Sequence, residues 1–257
     1  MDKSSFGGVV VAIGGILLGL TLEGGKVAQI IQPTAAMIVF GGTLGAVMIQ
    51  FPLPVVLAAF GRLGSVFIDK SKDPHAQIGE IVRYAQKARK EGIVSLDSEI
   101  EQIADPFLKK SLMLAVDGTE PQELQKMMEL ELDNQAEHEE HIHKVFESAG
   151  GFAPTVGIIG AVLGLIQVMQ HLDNITEVGR GIAVAFVATI YGVGIANLFF
   201  LPFAGKMRIR IHDEHQRREM MIEGVISILE GMNPRMLEVK LAGFLNDPQQ
   251  KLKERAA

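Results

Sequence analysis

Four long runs of this chain contain no Asp, Glu, Lys, Arg or His: Phe6 to Leu22, Thr34 to Phe51, Phe152 to Met169 and Ile182 to Phe203. A hydrocarbon core about 30 Å thick takes roughly 20 helical residues to cross, and a helix inside lipid satisfies its own backbone polar groups. Four runs of that kind would be rare in a soluble protein of 257 residues, so the chain reads as an all-α, polytopic membrane protein with four transmembrane helices. The overall composition is 48% hydrophobic and 21% charged, which requires the two classes of residue to be segregated along the sequence. Lys3 precedes the first run, but no small-residue cleavage site follows in "LTLEGGK", so a retained anchor is expected there and not a signal peptide.

Positive charge orients the spans. Of 24 Lys and Arg residues, 11 lie between Arg62 and Gly151 and 10 after Ala204, whereas the two short connections hold only Lys26 and Arg180. Cytoplasmic loops carry the Lys/Arg excess, which predicts cytoplasmic termini, a cytoplasmic middle segment, and outward loops around Gly24 and Asp173. The expected organisation is a first transmembrane pair over 1–58, a cytoplasmic helical domain over 59–149, a second pair over 150–203 and a cytoplasmic helical tail over 204–257.

Within the middle segment Ile78, Ile81, Val82 and Ala85 recur at helical spacing, and Gly92 reads as a break. Thr119 is the expected N-cap of a long helix with Pro121 in its first turn. No breaker follows before Gly150, so this helix should continue into the third span. "GKMRIRIHDEHQRREMMIEGVISILEGMNP" should extend the fourth span in the same way, with smaller helices packed around the two long ones.

Small residues recur on every span: Gly15 and Gly19, Gly41 and Gly45, Gly160 and Gly164, then Ala183, Ala185, Ala188, Gly192 and Gly194. Lipid gives helices no hydrophobic reason to associate, so such faces predict close helix packing and an oligomer. Polar groups in or beside the spans are few, among them Thr34, Thr43, Gln50, Thr155, Gln167, Thr189, Tyr191 and Asn197. A threonine hydroxyl in a helix commonly bonds the carbonyl one turn back. Thr189, midway along its span among small residues, is the best placed to meet a hydrated ion. Pro154 and Pro202 remove backbone donors where the third span begins and the fourth ends, which allows bending.

Several chemistries are excluded. With 0 Cys there is no disulfide framework or thiolate site. A net charge of -6 without a basic, aromatic-laced block argues against nucleic acid. "AIGGILLGL" lies inside a span and has no Lys-Ser/Thr sequel, so it is no phosphate loop. His138 with His141 and His212 with His215 have ligand-like spacing, but they sit in charged helices and form no compact set, so no metal is assigned. Ion pathways through membranes usually carry an ionisable side chain, and these spans have no Asp, Glu, Lys, Arg or His. If ions cross here, another chain supplies the carboxylate.

"ARKEGIVSLDSEIE", "GGFAPTVGIIGAVLGLIQVMQHLDN", "AVAFVATIYGVGIANLFFLPFAGKM" and "EGVISILEGMNPRMLE" together resemble the MotA/PomA flagellar stator subunit family, in order and over nearly the whole chain. The resemblance implies a bacterial inner-membrane pentamer around two copies of a MotB/PomB-like single-span subunit, whose aspartate carries the ion, with rotation passed to the rotor protein FliG. It places the family's rotor-binding charges on Arg89, Lys90 and Asp97, the last being Asp where Glu is common. Its mechanically important prolines fall on Pro154 and Pro202, its fourth-span threonine on Thr189 and a third-span ion-path position on Ala161; Thr155 is a further candidate for the ion path. Sodium-driven members carry a threonine in "GTLIGL", and the corresponding "GAVLGL" has Ala161, which favours protons over Na⁺. No cofactor and no covalent catalysis are implied. Two other readings are an ExbB/TolQ-like energiser of envelope processes, against which the fourth span counts, and a non-conducting membrane scaffold.

Overall fold

The structure, a computed structural model, describes residues 2–68 and 73–245; the remainder of the expected tail, 246–257, lies outside the described residues. Helices α1 (Lys3–Leu22), α2 (Pro33–Gln50) and α3 (Leu53–Phe67) come first. Then follow α4 (Pro74–Glu91), α5 (Asp97–Ile100) and α6 (Pro106–Val116). Helix α7 (Pro121–Gln170) is unbroken over 50 residues. Helix α8 (Ile175–Ile195) passes through a π turn, Ala196–Phe200, into α9 (Leu201–Leu229), and α10 (Pro234–Ala242) ends the described chain. No strand occurs among the described residues. Among the described residues, four helices are long and apolar enough to cross a membrane: α1, α2, α7 and the continuous Ile175–Leu229. The four uncharged runs lie in them, and the third and fourth spans do continue as long helices.

Local chemistry sets the boundaries. Asp73, Asp105, Asn174 and Asn233 each accept a backbone N–H of the first turn of α4, α6, α8 and α10. Three of the four are followed at once by a proline, whose fixed φ suits the first helical position. Gly92 ends α4 with φ 85°, a left-handed conformation that glycine adopts without a Cβ penalty. The cap of α7 differs from expectation. Its helix begins at Pro121, so the cap position is Glu120, whose carbonyl accepts the N–H of Leu124 at 2.9 Å. Thr119 instead gives its N–H to Leu114 at 3.1 Å and closes α6 beside Gly118, which has φ 84°.

The chain divides into two compact units, residues 1–69 with 139–209 and residues 70–138 with 210–257. The first holds the spans. Its centre is the antiparallel pair α7 and α8, which approach closely enough to exclude even a methyl group. A Cβ on Gly157 would lie 2.9 Å from the Ala188 carbonyl oxygen, one on Gly164 2.8 Å from that of Gly181, and one on Gly192 2.5 Å from that of Ala153. Helix α2 joins through Ala35 and Val39 against Val187 and Ala188. At Gly15, Gly19, Gly41 and Gly45 the same test meets nothing within 4 Å, so these small faces of α1 and α2 take no part in packing within the chain.

At the other end of this unit, Val56, Ala59 and Val66 of α3 bury themselves against Ile142, Val145, Phe146 and Ala149 of α7 and Ala204 and Met207 of α9. The Arg62 guanidinium is paired with Glu139. Asp2 ties the start of α1 to the same place: its N–H donates to the Phe67 carbonyl at 2.8 Å and its carboxylate meets the Lys206 ammonium at 2.5 Å. That hydrogen-bonded cation, with the N–H groups of Ser5 and Ser4, holds the Asp2 carboxyl at about 2. Because α3 and the Glu139–Ala149 stretch pack here, this unit reaches further along the chain than the hydropathy limits at 58 and 149.

In the second unit, Ile81 and Ala85 of α4, Leu108 and Leu112 of α6, Leu124 and Met128 of α7, Met220 and Val225 of α9, and Leu237 and Leu241 of α10 form one core. The smaller helices pack on segments of the two long ones, as the sequence periodicity predicts.

The close approach of α7 and α8 generates the first prediction. Gly164→Ala should destabilise the detergent-solubilised protein by about 1–3 kcal/mol, since the obstructing atoms belong to backbone. Gly79→Ala, where a Cβ would meet nothing within 4 Å, should not lower the thermal midpoint. Equal midpoints for both variants would refute the backbone-contact account.

Candidate functional site

Thr189 and Thr155 both spend their hydroxyl hydrogens on their own helices. Thr189 Oγ1 donates to the Ala185 carbonyl at 3.2 Å and Thr155 Oγ1 to that of Phe152 at 2.8 Å. Their oxygens therefore remain available only as acceptors, the capacity a hydrated cation uses. Thr155 is exposed on α7, while Thr189 and Ala161 are half-buried. The neighbours of Ala161 include Gly160, which packs on the Cβ of Ala188, one residue from Thr189.

The prolines act on backbone bonding. Pro154 sits inside α7 and offers no N–H to the Gly150 carbonyl, yet the helix continues through it. Pro202 follows the π turn, in which Leu201 donates to the Ala196 carbonyl, five residues back. Gly150 and Leu201 are adjacent: a Cβ at Gly150 would lie 2.5 Å from Leu201 Cδ2. The two helical irregularities thus sit side by side in the first unit.

Charged candidates cluster in the second unit. Arg89 and Lys90 occupy the last turn of α4, where cations are favoured by the helix dipole. The chain reverses at Gly92, runs through the 3₁₀ turn Ile93–Leu96, and begins α5 at Asp97. Leu96 and Ile100 are buried and anchor this turn, which leaves Asp97 exposed, as are Arg89 and Lys90. Those three make no ion pair among the described residues. Glu99, by contrast, is held by Lys87 at 2.8 Å and Arg83 at 3.5 Å. The Lys87 ammonium hydrogen-bonded to it lowers its carboxyl below the usual range. Of the acids at this turn, Asp97 and Glu91 are exposed and make no ion pair among the described residues.

Three features have no signal in the linear sequence. The Tyr191 hydroxyl donates to the Ile30 carbonyl at 2.5 Å and accepts the Gln32 N–H at 3.1 Å, which fastens the connection between α1 and α2 to α8. The hydroxyl of Thr43 is buried and has no partner among the described residues. His143 is 7% exposed, its Nδ1 has no partner among the described residues, and its Nε2 stands 4.0 Å from Glu147. Burial lowers the His143 pKa; Glu147 and Glu140 work against this, and Lys144 and Arg208 add to it. No group of three or more His, Asp or Glu side chains that could hold a metal occurs among the described residues.

A family model described as the motility protein A N-terminal matches residues 6–92, and one described as the MotA/TolQ/ExbB proton channel family matches residues 99–220. Motility protein A of Bacillus subtilis is 36% identical over 249 residues, covering 95% of this chain and 91% of that one. This chain belongs to the motility protein A family. Two solved structures agree with the assignment: C. jejuni MotAB, with a TM-score of 0.91, 33% identity and coverage of 96% of this chain and 98% of that one, and the flagellar MotAB stator complex from Bacillus subtilis, with 0.89, 35%, 98% and 99%. As a motility protein A homologue matched over its length, the chain is a flagellar stator subunit.

His143 supplies a test of the first unit. Since its pKa is depressed in the folded state, stability is intact above the ordinary imidazole value of about 6.5 and is lost as pH falls below it. The thermal midpoint of the wild-type protein should drop between about pH 7.5 and about pH 5.5, and His143→Gln should shrink the drop. An unchanged pH dependence in that variant would assign the effect to other groups.

Proposed function

We propose that this motility protein A homologue couples proton flow across the bacterial inner membrane to rotation, and that it does so as a pentamer. The observation that carries the reading is the pairing of family membership with four spans that hold no Asp, Glu, Lys, Arg or His. The acid that takes up the proton then comes from outside the chain, from a dimer of a MotB/PomB-like single-span subunit. The unpacked glycine faces of α1 and α2 suit contact with neighbouring copies. The skew of Lys and Arg favours cytoplasmic termini and a cytoplasmic second unit.

Thr189 and Thr155 would serve the ion path with acceptor oxygens, Ala161 would leave out the extra hydroxyl that a dehydrating Na⁺ uses, and Pro154 and Pro202 would let the inner ends of the spans yield. Arg89, Lys90 and Asp97 would engage the rotor protein FliG. Exposed ion pairs are worth about 0–1 kcal/mol each, weak enough to be made and broken at every step. None of these roles makes or breaks a covalent bond. The match of the motility protein A N-terminal model over the first two spans favours this reading over an ExbB/TolQ-type energiser.

Arg89→Glu should reduce swimming speed several-fold while co-purification with the single-span partner stays at the wild-type level. Wild-type swimming in that variant would remove the rotor assignment. Speed should follow the proton gradient and be indifferent to replacement of Na⁺ by K⁺ in the medium; a requirement for Na⁺ would overturn the role given to Ala161.

A further inference from the structure

The fourth span presents one exposed stripe made of Ile182, Phe186, Ile190, Val193 and Asn197. Four members are apolar, and Asn197 is the polar one. Its side-chain Nδ2 donates to the Val193 carbonyl at 2.9 Å, which fixes the amide and leaves Oδ1 as an acceptor without a donor among the described residues. Two more acceptors lie beside it. Leu201 gives its N–H to Ala196 and not to Asn197, and Pro202 has none to give to Leu198. The main-chain carbonyls of Asn197 and Leu198 have therefore both lost their ordinary α-helical donors. On the facing helix, Gly150 has lost its donor to Pro154 and packs against Leu201, in the same layer.

A cluster of oxygens short of donors, set at the end of an apolar stripe, has a definite chemistry. Left dry, each acceptor costs about 1–3 kcal/mol, and an anion or an apolar helix cannot relieve it. Water and hydronium can, since both bring O–H donors. The position also fits a route. Asn197 lies eight residues beyond Thr189, about 12 Å along the helix, and the charged segment begins at Lys206.

We infer that Asn197, with the main-chain carbonyls of Asn197 and Leu198, is a water-holding station at the inner end of the fourth span, through which the transported proton leaves. The inference rests on the proton-conducting reading above. No group of the chain changes protonation state: a proton arrives as an O–H of hydronium, a different O–H bond of the water chain releases it onward, and the oxygens only accept hydrogen bonds. The π turn then has a use, because together with Pro202 it frees two carbonyls from the helical ladder where the stripe needs them.

The test uses the full chain co-expressed with its single-span partner, comparing Asn197→Leu and Asn197→Gln with wild type. Three readouts are needed: co-purification, motor speed at low load, and proton influx into vesicles holding the complex, followed with a pH-sensitive dye. Asn197→Leu should assemble normally, lose speed and influx several-fold, and respond more strongly than wild type to replacement of H₂O by D₂O. Asn197→Gln, which keeps the amide, should recover most of both. Wild-type flux in Asn197→Leu, or failure of Asn197→Gln to rescue, would overturn the station. Loss of partner co-purification in Asn197→Leu would also overturn it and make Asn197 a helix-packing contact. A wild-type complex that passes no protons would instead bring down the functional reading itself.

Discussion

Backbone-to-backbone contact between α7 and α8 is what the rest of the first unit depends on. In lipid, apolar side chains gain nothing by leaving their surroundings for one another, so cohesion has to come from close van der Waals approach. Gly157, Gly164, Gly181 and Gly192 permit that approach by having no side chain to interpose. Once the pair is set, α2 can lay Ala35 and Val39 on Val187 and Ala188, and Tyr191 can reach the connection before α2. The larger side chains of α7 and α8 are consequently displaced to the outside of the pair, where Ile158, Ile159, Phe186 and Ile190 are exposed.

Charge is handled by a similar division. The spans exclude ionic side chains, while the second unit arranges them in two grades. Glu99 is neutralised in place by Lys87 and Arg83 and serves the local fold. Arg89 and Lys90 project from the last turn of α4 and Asp97 from the start of α5, beside Leu96 and Ile100, which are buried in the core, and Val94, which is exposed. A rigid base under unpaired charges loses little conformational freedom on docking, which suits contacts that must form and dissolve quickly.

Much of this was legible in the sequence, and the reason differs from element to element. The spans stand out because little besides a lipid surrounding selects against charge over some twenty consecutive residues. The starts of α4, α6 and α10 are written in Asp-Pro and Asn-Pro pairs, in which a capping oxygen precedes a residue with fixed φ. Helix α3 was not foreseen, because an apolar stretch with Pro52, Pro54 and one Arg between two other elements has no distinctive pattern until its partners on α7 and α9 are in place. The exposed Arg89, Lys90 and Asp97 came from family resemblance alone, for nothing in local spacing separates them from Arg83, Lys87 and Glu99. Pro202 announced a missing donor, but whether the helix would kink or adopt a π turn was decided by packing. The buried imidazole of His143 was hidden among solvated neighbours of the same helix for the same reason.

The fastening at Asp2 bears on how motion can spread through one subunit. A first span attached only by lipid-exposed side chains would be free to slide along its axis or trail behind the others. Here the chain start is clamped by a main-chain bond to the end of α3 and an ionic bond to Lys206, just past the fourth span. A displacement of the start of α9 is therefore delivered directly to the foot of α1. Helix α1, unburied along its length, is thus a strut bolted at its base to α3 and α9.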